Sequence, residues 1–367
     1  MTIPYLNLQQ LNASFDPQLS EAVRQIVGSG QYLRGEATHR FEQQFARYCG
    51  AARCIGVANG LDALTLIFLA YREMGTLHAG DEVIVPAHTY IATLLAVLRA
   101  GLKPVLCEPR FDTCNIDPEA AERLVTSHTR AILPVHLYGR PADMNALNQL
   151  ADRHKLLVVE DAAQAHGSRP LTGAAAAYSF YPAKNLGALG DGGAVVTHDI
   201  RLADTVRSLA NYGSSDKYTF IYKGVNSRLD EVQAAVLSVK LLRLDPDNER
   251  RRAIARRYLK EIPWERVGIT APVTVTGIEP DNVFHVFPVF TPHRDELQQH
   301  LLRQGIGTQI HYPIPPHRQP ALSAMYGELH LPITERIHAE ELSLPISPLL
   351  SEEEVTNVIE AIACAPF

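Results

Sequence analysis

The sequence predicts an α/β fold, with a large domain built on a mainly parallel central sheet and a smaller C-terminal α+β domain. Three observations point there. From about residue 55 to 200, short β-branched runs alternate with helix-length amphipathic stretches. Such alternation builds parallel strands whose connecting helices cover both sheet faces, and it places ligands at the carboxyl ends of the strands. Beyond the long Arg-rich stretch that follows, the remaining strand and helix signals read as a smaller α+β domain. Finally, 367 residues exceed one typical domain and suffice for two sizeable cores. The division is placed at 1–245 and 246–367, with the N-terminal helical segment in the first.

Taken in order, the turn Asn59-Gly60 in GVANGLDALTL enters a helix over Leu61–Leu69. EVIVP, KPVLCEP, RAILPVH and LLVVED then read as buried strands, with helical segments near Tyr90–Gly101, Pro118–Val125 and Pro141–His154. AAYSFYP adds a further strand. A long helix-prone segment runs from about Leu229 to Glu261 and ends at Pro263. HVFPVF, a helix near Arg294–Gln304, IGTQIHYPIPP and a last helix from Ser351 make up the smaller domain.

With 46% hydrophobic and 20% charged residues and a net charge of -6, the composition carries no general attraction to nucleic acid or anionic membrane. The first residues show no basic and apolar leader, and ALTLIFLAY is too short to span a bilayer, so a cytoplasmic location is expected. The five cysteines form no CxxC pair, which argues for reduced thiols and against a structural zinc site. The fifteen histidines include no H-E-x-x-H, and no metal is expected.

The chemistry concentrates in two stretches. VVEDAAQAHGS places Asp161 at a strand end, where a carboxylate needs a cation or a hydrogen-bond donor. That partner could be a structural arginine or a helix N-terminus. Lys184 lies in SFYPAKNLGALGDGGAVVT, beside Gly187, Gly190, Gly192 and Gly193. Desolvation would lower its pKa from about 10.4 and make it a nucleophilic amine, although lysines on loop tips are common. An aldehyde cofactor would use both groups together. In pyridoxal phosphate enzymes a lysine holds the cofactor as a Schiff base while an acid pairs with the ring nitrogen. Gly60 and Leu61, at a helix start, could bind its phosphate through their amides. Tyr90, just past EVIVP, could stack on its ring or simply pack in the core. The glycine spacing fits neither G-x-G-x-x-G nor a P-loop.

EDAAQAHGS, SFYPAKNLGALGDGGAVVT, GVNSRLDEVQAAVL and IGTQIHYPIPPHRQP, in that order across almost the whole chain, resemble the DegT/DnrJ/EryC1/StrS sugar-nucleotide aminotransferases. GVANGLDAL and HYPIPPHRQP are most similar to members that aminate C3 of dTDP-3-keto-6-deoxyhexoses. The resemblance implies an aspartate-aminotransferase-like fold (fold type I), a homodimer with shared active sites, and pyridoxal 5′-phosphate. It implies that Lys184 is the Schiff-base lysine, Asp161 the ring-nitrogen partner and Gln164 the neighbour of the phenolic oxygen. It also makes Tyr90 the stacking residue, Ser179 a phosphate-binding hydroxyl, and Asn226 a phosphate ligand donated by the other subunit. Tyr181, Lys217, His311 and Tyr312 become nucleotide-sugar candidates; His311 and Tyr312 could instead pack the proline-rich turn. Arg228 is a candidate for the carboxylate of L-glutamate or for an ion pair with Asp230 or Glu231. Where many relatives have Gly-Thr-Ser, this chain has Gly60-Leu61-Asp62, which removes a hydroxyl from the phosphate turn.

Overall fold

The structure is a computed structural model that describes residues 2–168, 171–272 and 280–366. Three helices come first: α1 (Leu8–Ala13), α2 (Gln18–Ser29) and α3 (Glu36–Tyr48). Then follow β1 (Arg53–Val57), α4 (Gly60–Glu73), β2 (Glu82–Pro86), α5 (Ala92–Arg99), β3 (Lys103–Cys107), α6 (Pro118–Arg123), β4 (Thr129–Ile132), α7 (Met144–His154), β5 (Leu157–Asp161), β6 (Ala175–Ser179), β7 (Gly193–Thr197) and α8 (Ile200–Leu209). These seven strands form one sheet in the order β1-β7-β6-β5-β4-β2-β3. Pairing is parallel from β3 through β6, and β7 is antiparallel to both β6 and β1.

Successive strand residues point to opposite sheet faces. Val83, Val85, Val159 and Val195 join the α4, α5 and α8 side, where Leu64, Phe68, Val97 and Val206 are buried. Ile84, Ile132 and Val158 face α6 and α7, and Ala176, Tyr178 and Val196 face α3. Both faces are therefore covered, as expected of a mainly parallel sheet.

The chain continues through the hairpin β8 (Ser214–Asp216) and β9 (Thr219–Phe220) to α9 (Glu231–Leu241) and α10 (Leu244–Glu261). The sequence suggested one helix here, but there are two. The α-helical run breaks at Arg243, which has φ -112° and ψ 2°, and Leu242 stands 82% exposed at the corner. The corner lets α9 pack on α3 while α10 enters a second core.

That core surrounds β10 (Phe287–Phe290), α11 (Arg294–Arg303), β11 (Glu341–Leu344) and α14 (Glu352–Ala363), with β10 and β11 paired antiparallel, while Tyr326 of α12 (Ser323–Tyr326) packs against the sheet-side core and Ile337 of α13 (Pro332–Glu340) packs with Val135, Tyr138 and Phe290. Its buried residues include Tyr258 of α10, Leu297 and Leu301 of α11, and Val355 and Val358 of α14. Ile3, near the chain start, also belongs to it and bridges Ile306. Residue 245 falls inside α10, whose Leu244 packs with the sheet and whose Ile254 packs in the second core.

Candidate active site

Because β7 is antiparallel, its amino end lies at the same sheet edge as the carboxyl ends of β1, β2, β5 and β6. The candidate residues gather along that edge. Asp161, the last residue of β5, is buried; its Oδ2 accepts from Thr93 Oγ1 at 2.9 Å and its Oδ1 from the Ala163 amide at 3.2 Å. Burial raises its pKa, opposed by those two hydrogen bonds and by Lys184. Lys184 lies on the loop after β6, held by its amide bonding to the Tyr181 carbonyl at 2.8 Å. Its side chain is half-buried. Burial lowers its amine pKa to about 8, and attraction to Asp161 only partly offsets this.

A backbone cradle sits beside this pair. Asn59 caps α4 by accepting from the Asp62 amide at 2.8 Å. The amides of Gly60 and Leu61, in the first turn, have no helical carbonyl before them to bond. Side-chain-free glycine is needed here for close approach. A Cβ on Gly60 would lie 2.7 Å from Cβ of Ser179, and one on Gly193 would lie 2.4 Å from the Asn59 carbonyl. The turn after β1, the end of β6 and the start of β7 thus meet backbone to backbone. Asp62, in the turn from which the expected phosphate hydroxyl is missing, is engaged elsewhere: its Oδ2 accepts from Ser227 Oγ at 2.7 Å, while Ser227 Oγ accepts from the Ala58 amide at 3.1 Å.

On the small-domain side, Gln164 Oε1 accepts from the Tyr138 amide at 2.5 Å and its Nε2 donates to the Tyr312 hydroxyl at 3.0 Å. The Tyr90 ring, 57% exposed, lies 5.4 Å from the Tyr312 ring at 44°. The carbonyl of His311 accepts from the Tyr138 hydroxyl at 2.5 Å, and that of Tyr312 meets His338 Nδ1 at 2.7 Å. The charge of Lys184 reaches His311. Asp161, Gln164, Lys184, His311 and Tyr312 therefore form one cluster.

The other candidates lie further out. Tyr181 is 56% exposed. Lys217 is exposed on the β8–β9 turn, its Nζ 5.4 Å from the Tyr218 ring. Asn226 is exposed next to the anchored Ser227. Arg228 lies 5.9 Å from the Tyr212 ring, and among the described residues no ion pair joins it to Asp230 or Glu231. Glu231 is engaged elsewhere, accepting from the amides of Gly35, Ala37 and Thr38 and from the Thr38 hydroxyl at the start of α3.

Sequence reasoning did not single out Thr93, Tyr138, Glu341 or Ser343. Thr93 lies three residues after Tyr90 but carries no signal of its own. Glu341 left a trace, a carboxylate opening the wholly buried strand ELSL.

The donor set fits pyridoxal 5′-phosphate: a neutralisable amine, a buried acid beside it, and amides around a cradle that admits no side chain. No helix among the described residues is long and apolar enough to cross a membrane, and these residues contain no cluster of metal ligands.

Comparison with known proteins agrees with this chemistry. The chain is 51% identical, over 98% of both chains, to a dTDP-3-amino-3,6-dideoxy-alpha-D-galactopyranose transaminase of Aneurinibacillus thermoaerophilus. It is 48% identical, over 99% of both, to the erythromycin biosynthesis sensory transduction protein EryC1 of Saccharopolyspora erythraea. Among solved structures it resembles S. venezuelae DesV, in complex with a ketimine intermediate, with TM-score 0.92 and 48% identity over 99% of this chain and 98% of that one. The family profile matches residues 14–363, and the chain belongs to the DegT/DnrJ/EryC1/StrS aminotransferase family.

Proposed function

We propose that this chain is a pyridoxal 5′-phosphate-dependent transaminase that moves an amino group from L-glutamate to C3 of a dTDP-linked 3-keto-6-deoxyhexose, giving a dTDP-3-amino-3,6-dideoxyhexose. The observation that carries the reading is Lys184, an amine lowered to about 8 that interacts with buried Asp161 at the sheet edge where the Gly60 turn, Ser179 and Gly193 meet. The names of the Aneurinibacillus and S. venezuelae relatives support the substrate class.

When bound, the cofactor supplies an aldehyde for amines and a ring that draws electrons from a neighbouring C–H bond. Asp161 would accept from the protonated ring nitrogen, a cation that would hold this acid ionised despite its burial. Gly60, Leu61 and Ser179 would hold the cofactor's phosphate, and Tyr90 would stack on its ring. Gln164, fixed at its carbonyl by Tyr138, offers its amide to the phenolic oxygen's side. Lys184 takes the proton from the α-carbon of glutamate and, in the second half, delivers a proton to C3 of the sugar. Arg228 receives the glutamate carboxylate, and Tyr181, Lys217, His311 and Tyr312 hold the nucleotide sugar. Lys217 serves as a point charge for the diphosphate. Because the 2-oxo acid leaves before the keto sugar binds, the kinetics are ping-pong.

The reading includes a homodimer in the cytoplasm, with Asn226 reaching the partner's phosphate site. Supporting this, Tyr212 (49% exposed), Tyr218 (82%), Phe220 (59%), Ile221 (55%) and Val225 (43%) form an apolar neighbourhood around the β8–β9 hairpin, of the kind that an interface covers.

Incubating the loaded protein with glutamate and each C4 epimer of the 3-keto sugar tests the reading. Release of 2-oxoglutarate and an NMR spectrum with nitrogen at C3 are expected; nitrogen at C4 would overturn the regiochemistry. The EryC1 relative's name favours a second reading, a cofactor-binding regulator without turnover, and absence of amine transfer to either sugar would favour it.

A further inference from the structure

Glu341 is a carboxyl with 0% exposure on β11, next to the dipeptide His311-Tyr312 of the sugar pocket. Its Oε2 accepts from the His311 amide at 2.6 Å, and its Oε1 bonds Ser343 Oγ at 2.5 Å. Ser343 Oγ lies 2.7 Å from Nδ1 of His311. The chain therefore runs carboxyl, hydroxyl, imidazole.

We propose that Glu341, acting through Ser343, sets which ring nitrogen of His311 carries the proton, and so whether His311 offers the keto sugar an acceptor or a donor. A hydroxyl has one proton and two lone pairs. With Glu341 ionised, Ser343 gives its proton to Oε1 and must accept from Nδ1–H, which leaves Nε2 of His311 as a bare acceptor. With Glu341 protonated, Oε1–H donates to Ser343, Ser343 donates to Nδ1, and the ring carries its proton on Nε2. The amide bond from His311 to Oε2 persists in both states. One proton leaves to solvent as pH rises, two hydrogen bonds reverse direction, and no covalent heavy-atom bond changes.

The surroundings keep the two states close. Glu341 acts on Tyr5, Cys114, Tyr138 and Tyr312, all neutral at ordinary pH, and the cation acting on it is Arg294. Burial therefore pushes its pKa up to about 8. Burial, with Lys184, lowers His311 to about 4, so its ring stays neutral through that range and changes tautomer rather than charge. Above about 8, His311 accepts from a sugar hydroxyl and repels diphosphate oxygens; below it, His311 donates.

This role rests on the proposed contact between His311 and the sugar, but its first test needs no sugar. In holoenzyme carrying ¹⁵N-histidine, with His311→Asn assigning the signal, Nε2 of His311 should pass from protonated to unprotonated between about pH 6 and about pH 10. Glu341→Gln, whose Oε1 can still accept from the His311 amide and whose Nε2 can only donate to Ser343, should hold Nε2–H throughout. Ser343→Ala, which keeps the carboxyl, should abolish the transition. A wild-type tautomer constant across that range, or variants that follow wild type, would overturn the proposal. In turnover, the KM for the keto sugar should change about tenfold across the transition in wild type and stay flat in both variants, while the glutamate half-reaction, whose own pH dependence follows Lys184, should match wild type in both variants at each pH. A tautomer switch without that KM change would leave Glu341's control of the ring in place and refute the sugar contact.

Discussion

An amine attacks an aldehyde only through its lone pair, and at Lys184 burial supplies that lone pair near neutral pH. The amine is lowered to about 8, so protonation holds it inactive below that value and releases it above. Capture of pyridoxal 5′-phosphate by the apoenzyme should therefore accelerate about tenfold per pH unit up to about 8 and level off beyond it, as followed by stopped-flow absorbance. An inflection near an ordinary lysine's value would refute the assignment. Lys184→Ala should abolish turnover and the visible absorbance of the bound cofactor; transamination at the wild-type rate in that variant would be incompatible with the proposed mechanism. Both residues of the pair stood out in the sequence because a lysine among glycines and an acid ending a strand are costly arrangements. Glu341 and Thr93 did not, since their partners lie 30 and 68 residues away along the chain.

At the level of elements, the cleft exists because strand ends and a helix start pack without side chains between them. Gly193→Ala would push a methyl group to 2.4 Å from the Asn59 carbonyl, displacing the turn that opens α4. Cofactor affinity should fall at least about tenfold in a spectral titration, while far-UV circular dichroism stays native. Glu231 shows the same logic away from the site. It satisfies three amides at the start of α3 from the first residue of α9. Glu231→Ala should cost about 1–3 kcal/mol in denaturant unfolding, because those donors are left without a partner. The parallel strands and most helices were legible as alternating patterns. The break at Arg243 was not, because both flanking segments are helical by composition and only packing against different cores separates them.

Across the whole molecule, the proposed dimer explains why Asn226 and the apolar residues around the β8–β9 hairpin are exposed while the neighbouring Ser227 is anchored to Asp62 and Ala58. Mixing Asn226→Ala and Lys184→Ala chains should restore part of the activity, since a hybrid dimer would hold one site with both residues intact. No recovery after demonstrated subunit exchange would argue that each site is complete within its own chain.

The sequence by itself determined the α/β architecture and the lysine–acid pair, because periodic burial and costly isolated charges are local properties of the chain. Tertiary structure alone decided the antiparallel β7, the second core that takes in Ile3, and the Glu341–Ser343–His311 chain. Each depends on residues far apart in sequence meeting in a volume from which water is excluded, and there a hydrogen bond's direction, not residue type alone, sets the chemistry.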